Sequence, residues 1–143
     1  MIEEILSFAL LAELELLTKA TYLEKLDSYF IINSNNDLLL ELEFMYENTN
    51  DAINKIFNSY IYSLDLQFFG KLLFSNIEGI YLSNEFTINE FAQKMYLLWN
   101  LYIPYPINEK EPFWTLSYAD DCLSYGDEKQ TRFLYEKAFN YYH

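Results

Sequence analysis

The chain has 143 residues, of which 52% are hydrophobic and 20% aromatic, and it carries 22 acidic against 9 basic residues, a net charge of −13. This apolar share is too high for a disordered chain, and three glycines and three prolines are too few for a turn-rich β-sandwich or barrel. Such a charge repels nucleic acid and anionic membranes and attracts basic partners, so we expect no nucleic acid and no membrane among the ligands.

The start of the chain and its cysteine content bear on where the protein works. One cysteine cannot form an internal disulfide, so no oxidising compartment is implied. The first stretch, MIEEILSFALLAELELL, has acids at positions 3 and 4, where a secretory signal would carry basic residues. No uninterrupted apolar run approaches the roughly 18 residues of a membrane helix. We therefore expect a cytoplasmic protein.

Helical periodicity dominates the chain. In DAINKIFNSYIYSL and again in INEFAQKMYLLWNLY, apolar residues recur at spacings of three and four. Cap signals mark helix starts at Asp65, at Thr87 with Glu90, and at Asp127 with Gln130.

The last third of the chain contains further signals for where a helix starts and ends. Pro112 suits the first turn of a helix, and Gly126 can end the same helix. The predicted helices cover residues 2–17, 21–32, 37–47, 50–63, 66–82, 88–102, 112–125 and 128–141. The sequence thus predicts an all-α fold, a single-domain bundle of about seven to eight antiparallel helices over residues 1–143.

The sequence offers no convincing nucleophile. The only histidine is the terminal His143, so Cys122 has no imidazole partner for catalysis. Cys122 shares a helical face with aromatic residues, which predicts a small buried apolar side chain. These aromatic residues are Trp114, Tyr118 and Tyr125.

Carboxylates do not define an active site either. Asp120 and Asp121 are adjacent, but neighbours on a helix diverge by about 100° and cannot line one pocket. No zinc or calcium spacing occurs, and the isolated glycines fit no phosphate loop. We expect no metal, no cofactor and no enzyme activity; the alternative is an enzyme whose carboxylates come together from distant helices.

Acidic residues cluster in two stretches without a base, six between Lys25 and Lys55 and five between Lys110 and Lys129. Such runs can be solvated faces that serve solubility alone. In DLLLELEFMYE, however, an apolar arc lies opposite an acidic arc that has Leu40 and Phe44 in its middle. The apolar arc consists of Leu38, Leu39, Leu42, Met45 and Tyr46.

Two hypotheses explain Leu40 and Phe44. Either another helix covers them, in a central helix buried nearly all round, or they anchor a basic partner inside a charged rim. The second hypothesis gives the candidate partner-binding residues Asp37, Leu40, Glu41, Glu43, Phe44, Glu47, Asp120, Asp121, Asp127 and Glu128.

The stretches FTINEFAQKMYLLWN and DDCLSYGDEKQTRFLYEKAFNYY resemble the helical core of colicin-D-type immunity proteins and of related immunity proteins of contact-dependent growth inhibition systems. In that group, a helix that starts with Ser or Thr, two residues and Glu-Phe is followed by an acidic helix and a C-terminal helix. The matching residues are Thr87, Glu90, Phe91, Trp99 and the acids from Asp120 to Glu128.

The resemblance implies an immunity protein that neutralises a nuclease toxin, often one that cleaves tRNA. The partner would be the basic C-terminal toxin domain of a large secreted protein or of a bacteriocin. Such immunity proteins cover the active site or the RNA groove, with acids where phosphates would lie. The alternative is another acidic inhibitor or adaptor, such as a phage-encoded mimic of nucleic acid that acts against a defence nuclease.

Overall fold

Helix starts are fixed by side chains that accept backbone N–H groups left unpaired in the first turn. Thr87 Oγ1 accepts the N–H of Glu90 at 3.1 Å and also bonds the Glu90 carboxylate at 3.0 Å. Asp127 and Asp65 likewise accept the N–H three residues further on, at 3.0 and 3.1 Å. These bonds confirm the three cap signals of the sequence.

The computed structural model describes residues 1–143, which form eight α-helices and no β-strand, as the sequence predicts. The α-helices are α1 (Ile2–Glu13), α2 (Lys19–Ile32), α3 (Asp37–Phe44), α4 (Thr49–Tyr60), α5 (Leu66–Ser83), α6 (Ile88–Leu97), α7 (Thr115–Ser124) and α8 (Glu128–Asn140). A π-helical turn, Leu98–Tyr102, continues α6, and a 3-10 helix follows at Ile107–Glu109.

Three helices end before their apolar patterns do. α1 ends at Glu13 instead of residue 17, because Glu15 has a left-handed φ of 58° that takes the chain out of the helix. α3 ends at Phe44 instead of residue 47, and α4 ends at Tyr60 instead of residue 63. In each case turn residues follow the last helical one.

α7 begins later than predicted. The sequence places Pro112 in its first turn, but the helix starts at Thr115. The preceding residues form a tighter turn, in which the Pro112 carbonyl accepts the N–H of Thr115 at 3.1 Å, three residues on. The other end agrees with the sequence, since Gly126 follows α7 with a φ of 84°.

Packing groups the helices into two compact units, Met1–Leu73 and Phe74–His143. α5 runs without interruption across the boundary between them. The prediction that residues 1–143 form one domain stays a prediction.

The first unit is built around α1, which packs against α2 and α4, while α2 packs against α3. Ile5, Leu6 and Leu10 of α1 have no exposed surface. A helix that is apolar nearly all round belongs at the centre of a core. A hydrogen bond from the Thr49 hydroxyl to the Glu13 carboxylate ties the start of α4 to the end of α1.

The core of the second unit is aromatic, and in it α7 packs against α6 and α8. The rings of Phe91 and Tyr135 meet edge to face, with centroids 5.0 Å apart. The Tyr81 ring lies 5.3 Å from those of Phe91 and Phe139. Such contacts between rings add to the free energy gained by their burial, and they fix the side on which α8 meets α6.

Candidate protein-binding surface

α3 is held in place by its inner side. The Asn36 side chain accepts the N–H of Leu39 at 3.0 Å and so starts the helix. Leu38, Leu39 and Leu42 are at most 4% exposed, which confirms three of the five residues of the predicted apolar arc. The other two, Met45 and Tyr46, follow the end of the helix at Phe44; Met45 is half-buried and Tyr46 is 38% exposed. This packing determines which residues of α3 face solvent.

The outer side of α3 presents Leu40 and Phe44, one helical turn apart. Leu40 is 43% exposed and Phe44 is 85% exposed. The hypothesis of a central helix buried nearly all round is therefore wrong. The apolar pair is open to solvent, on the side of the helix opposite its buried leucines.

Carboxylates flank this pair. Asp37, Glu41 and Glu47 are all exposed, and together with Leu40 and Phe44 we call them the α3 surface. Glu41 is already paired, because its Oε2 lies 2.7 Å from Lys55 Nζ, an interaction that raises the pKa of Lys55. Asp37 and Glu47 make no ion pair, so they supply the free negative charge of the α3 surface.

The end of α2 extends the apolar area beside α3. Ile31 and Ile32, the last residues of α2, are 79% and 80% exposed. Only residues 33–36 separate them from α3, so they lie next to the start of the α3 surface. Neither residue is among the candidates that the sequence predicts. The available signal was an apolar pair in the last turn of a helix, just before the polar connection NSNN.

Glu43 lies beneath the α3 surface. It is half-buried and hydrogen-bonds Asp27 of α2, whose Oδ2 also accepts the Tyr46 hydroxyl at 3.2 Å. One carboxyl oxygen of Glu43 is buried without a hydrogen-bond partner. Burial, followed by the neighbouring Asp27 carboxylate, raises the pKa of Glu43 to about 7. The structure thus separates this candidate from the exposed acids of α3.

In the second acidic stretch, the adjacent residues Asp120 and Asp121 also differ in burial. Asp121 is exposed, whereas Asp120 is half-buried, and burial followed by the charge of Asp121 raises the pKa of Asp120. Asp120 faces the core side of α7, close enough to Tyr135 for its charge to contribute to the raised pKa of that phenol, after burial. The two carboxylates diverge, as their adjacency on a helix predicts.

Asp127 and Glu128 both interact within their own helix. Asp127 caps α8 through the N–H of Gln130 at 3.0 Å. Glu128 lies 3.6 Å from Arg132 one turn further on, and Arg132 donates to the Tyr81 hydroxyl at 3.2 Å. Of the candidates in this stretch, Asp121 is the exposed carboxylate without such a partner.

The prediction for Cys122 is wrong in part. The thiol is free and half-buried, and the aromatic residues on its face are exposed instead of buried. The spacing of those rings resembles a core stripe, but the core side of α7 consists of smaller residues. These are Thr115, Leu116 and Ala119.

No group of three or more His, Cys, Asp or Glu side chains is arranged to hold a metal ion. None of the helices combines the length and the apolar character needed to cross a membrane. Comparisons with protein-family models, with curated proteins and with solved structures found no match. The resemblance to immunity proteins stays a prediction.

Truncating the exposed phenylalanine tests the placement of α3. We expect Phe44→Ala to change the free energy of unfolding by less than about 0.5 kcal/mol, because the ring contacts solvent more than protein. Leu39→Ala, on the buried side of the same helix, should cost about 2–5 kcal/mol. Urea denaturation of the two variants measures both values. A loss of similar size in both would contradict the structure.

Glu43 should make stability depend on pH. Because the pKa of Glu43 is raised from its ordinary 4.5 to about 7, the folded chain keeps this proton to higher pH than the unfolded chain. Its contribution is complete below pH 4.5 and is lost as the pH rises through about 7.

Glu43→Gln removes this titration. At pH 8 the variant should melt about 2–4 °C above the unmodified protein, the effect of about 1 kcal/mol in a chain of this length. At pH 4, below the ordinary pKa of 4.5, the two melting temperatures should agree. Thermal unfolding followed by circular dichroism measures both, and a constant difference between the two pH values would refute the assignment.

Proposed function

We propose that the chain is an immunity protein, which binds a basic nuclease toxin domain and neutralises it by covering the active site or the RNA-binding groove. One observation carries the proposal: Phe44, 85% exposed, lies beside Leu40 on the α3 surface, flanked by carboxylates. The resemblance of the C-terminal helices to immunity proteins supplies the class of partner.

The apolar part of the α3 surface can contribute to the free energy of binding a partner. Moving a side chain of this kind out of water contributes about 1.5–3 kcal/mol of free energy. Because the fold leaves the Phe44 ring exposed, this free energy is available to a partner that covers it. Interfaces concentrate their energy in a few such anchors, surrounded by contacts that exclude water. Leu40, one turn before Phe44 on α3, is exposed as well and can supply part of those surrounding contacts, and Ile31 and Ile32 add exposed apolar area towards the start of α3.

The charge supports the choice of a nuclease. An enzyme that binds RNA lines its groove with lysine and arginine, because phosphates dominate the affinity. Residues 1–73, which contain α3, hold 12 acidic against 4 basic residues. Such a field attracts a basic groove and speeds the encounter. Asp37 and Glu47, free of internal ion pairs, can then meet basic side chains at the rim of the groove.

The competing function, a mimic of nucleic acid directed at a defence nuclease, would use the same charge. The two functions differ in their partners. An immunity protein inhibits the one toxin encoded beside it, whereas a mimic of nucleic acid acts on nucleases whose genes need not be neighbours. Inhibition of unrelated nucleases by this chain would favour the mimic.

Co-expression with the nuclease domain encoded by the neighbouring gene tests the proposal. Cells that produce the domain alone should die, and cells that also produce this chain should survive. Death of cells that produce both proteins in equal amounts would contradict the proposal. So would a neighbouring gene that encodes no toxin domain.

Two matched variants test whether the protection of cells depends on the α3 surface. Phe44→Asp should abolish protection, because it places a charge where an apolar contact is needed. Tyr62→Asp changes another exposed ring of the same unit, 100% accessible after α4, and should protect as well as the unmodified chain. Unchanged melting temperatures would show that both variants fold. Protection by Phe44→Asp would contradict the role of this surface.

A further inference from the structure

α7 carries a second surface with its own chemistry. Trp114, Tyr118, Asp121 and Tyr125, which we call the α7 stripe, follow one another at spacings of four, three and four, and therefore lie along one side of the helix. The three rings are 36%, 46% and 89% exposed, and Asp121 is exposed as well. The rings of Trp114 and Tyr118 form a pair, with centroids 5.6 Å apart.

An aromatic face beside a carboxylate is a site for a cation. The negative face of the ring attracts the charge, and the carboxylate accepts its hydrogen bonds. Arginine suits both groups better than lysine, because its planar guanidinium stacks on rings and donates two parallel bonds to a carboxylate. Asp121 lies one turn beyond Tyr118, so one guanidinium stacked on that ring can reach it.

Cation–π contacts occur within the chain at other rings. The Arg132 guanidinium lies 6.0 Å from the centre of the Tyr81 ring, and the Lys94 ammonium lies 5.6 Å from that of Phe86. No base of the chain lies over Trp114 or Tyr118. A cation bound at the α7 stripe would therefore come from another molecule.

We propose that the α7 stripe docks an arginine-bearing basic segment of a partner protein. Charge complementarity identifies the occupant, since a second copy of this chain would bring the same carboxylates and the same net charge of −13. Lys137 lines a pocket of about 40 Å³ together with Trp114. Glu111 lines the same pocket, so its carboxylate and the Lys137 ammonium offset each other. The free carboxylate of the stripe is Asp121, and the guanidinium therefore lies on the Tyr118 side, next to Asp121.

The inference extends the proposed function, since a basic nuclease would present such segments, but it does not require the partner to be a nuclease. It concerns the second unit and does not involve the α3 surface. A change at Phe44 should therefore leave this binding unchanged, so that the failure of one proposal can be told from the failure of the other.

A fluorescein-labelled hexa-arginine peptide is the probe, and its anisotropy on titration with the full chain is the readout. Hexa-arginine should bind at low salt, with hexa-lysine at least about threefold weaker. Tyr118→Ala and Asp121→Asn should each weaken binding of hexa-arginine about three- to tenfold. Glu136→Gln removes an exposed charge of α8 in the same unit and should leave the affinity unchanged.

Several results would overturn the proposal. Equal affinity for the two peptides, together with equal effects of Asp121→Asn and Glu136→Gln, would show attraction to net charge alone. Weaker binding by Phe44→Ala would assign the peptide to the α3 surface. A dimer that Tyr118→Ala dissolves in sedimentation experiments would make a second copy the occupant. The absence of any binding at low salt would also reject the proposal.

Discussion

The burial of three leucines on one side of a short helix determines what the first unit shows to solvent. α3 has eight residues, and Leu38, Leu39 and Leu42 occupy its inner side. Because successive residues turn by about 100°, Leu40 and Phe44 must then face outward. Moving Phe44 into the core would require the leucines to leave it. The exposed phenylalanine is thus a consequence of the best-packed contacts of α3, and it is the last residue of that helix.

The same packing sorts the acids by role. Several carboxylates that look equivalent in the sequence have partners within the fold: Glu41 pairs with Lys55, Glu43 shares a hydrogen bond with Asp27, and Asp127 caps α8. The exposed candidates that remain without such partners are Asp37, Glu47 and Asp121. In both units an exposed aromatic ring lies on the same helix as a free acid, and this combination is more specific for a basic protein partner than net charge is.

Much of the fold could be predicted from the sequence, because helical period and cap chemistry are local. Thr87 with Glu90 and Asp127 with Gln130 form the predicted bonds. Burial could be predicted less well. Periodicity gives the spacing of residues on a face but does not say what covers that face. The sequence therefore allowed Phe44 to be either buried or exposed, and it wrongly predicted that the face with Cys122 and its aromatic neighbours is buried. The raised pKa of Glu43 depends first on its burial and then on Asp27, sixteen positions away on another helix, and no local pattern reports either.

The central claim is that the α3 surface is where the partner binds. Hydrogen–deuterium exchange of the chain, alone and with the nuclease domain proposed as its partner, tests it most directly, because amide protection reports the contact region peptide by peptide. We expect the complex to slow exchange in the peptides that contain residues 31–47, and to leave those of α1 unchanged. Slower exchange confined to other helices, with residues 31–47 exchanging as in the free chain, would contradict the account.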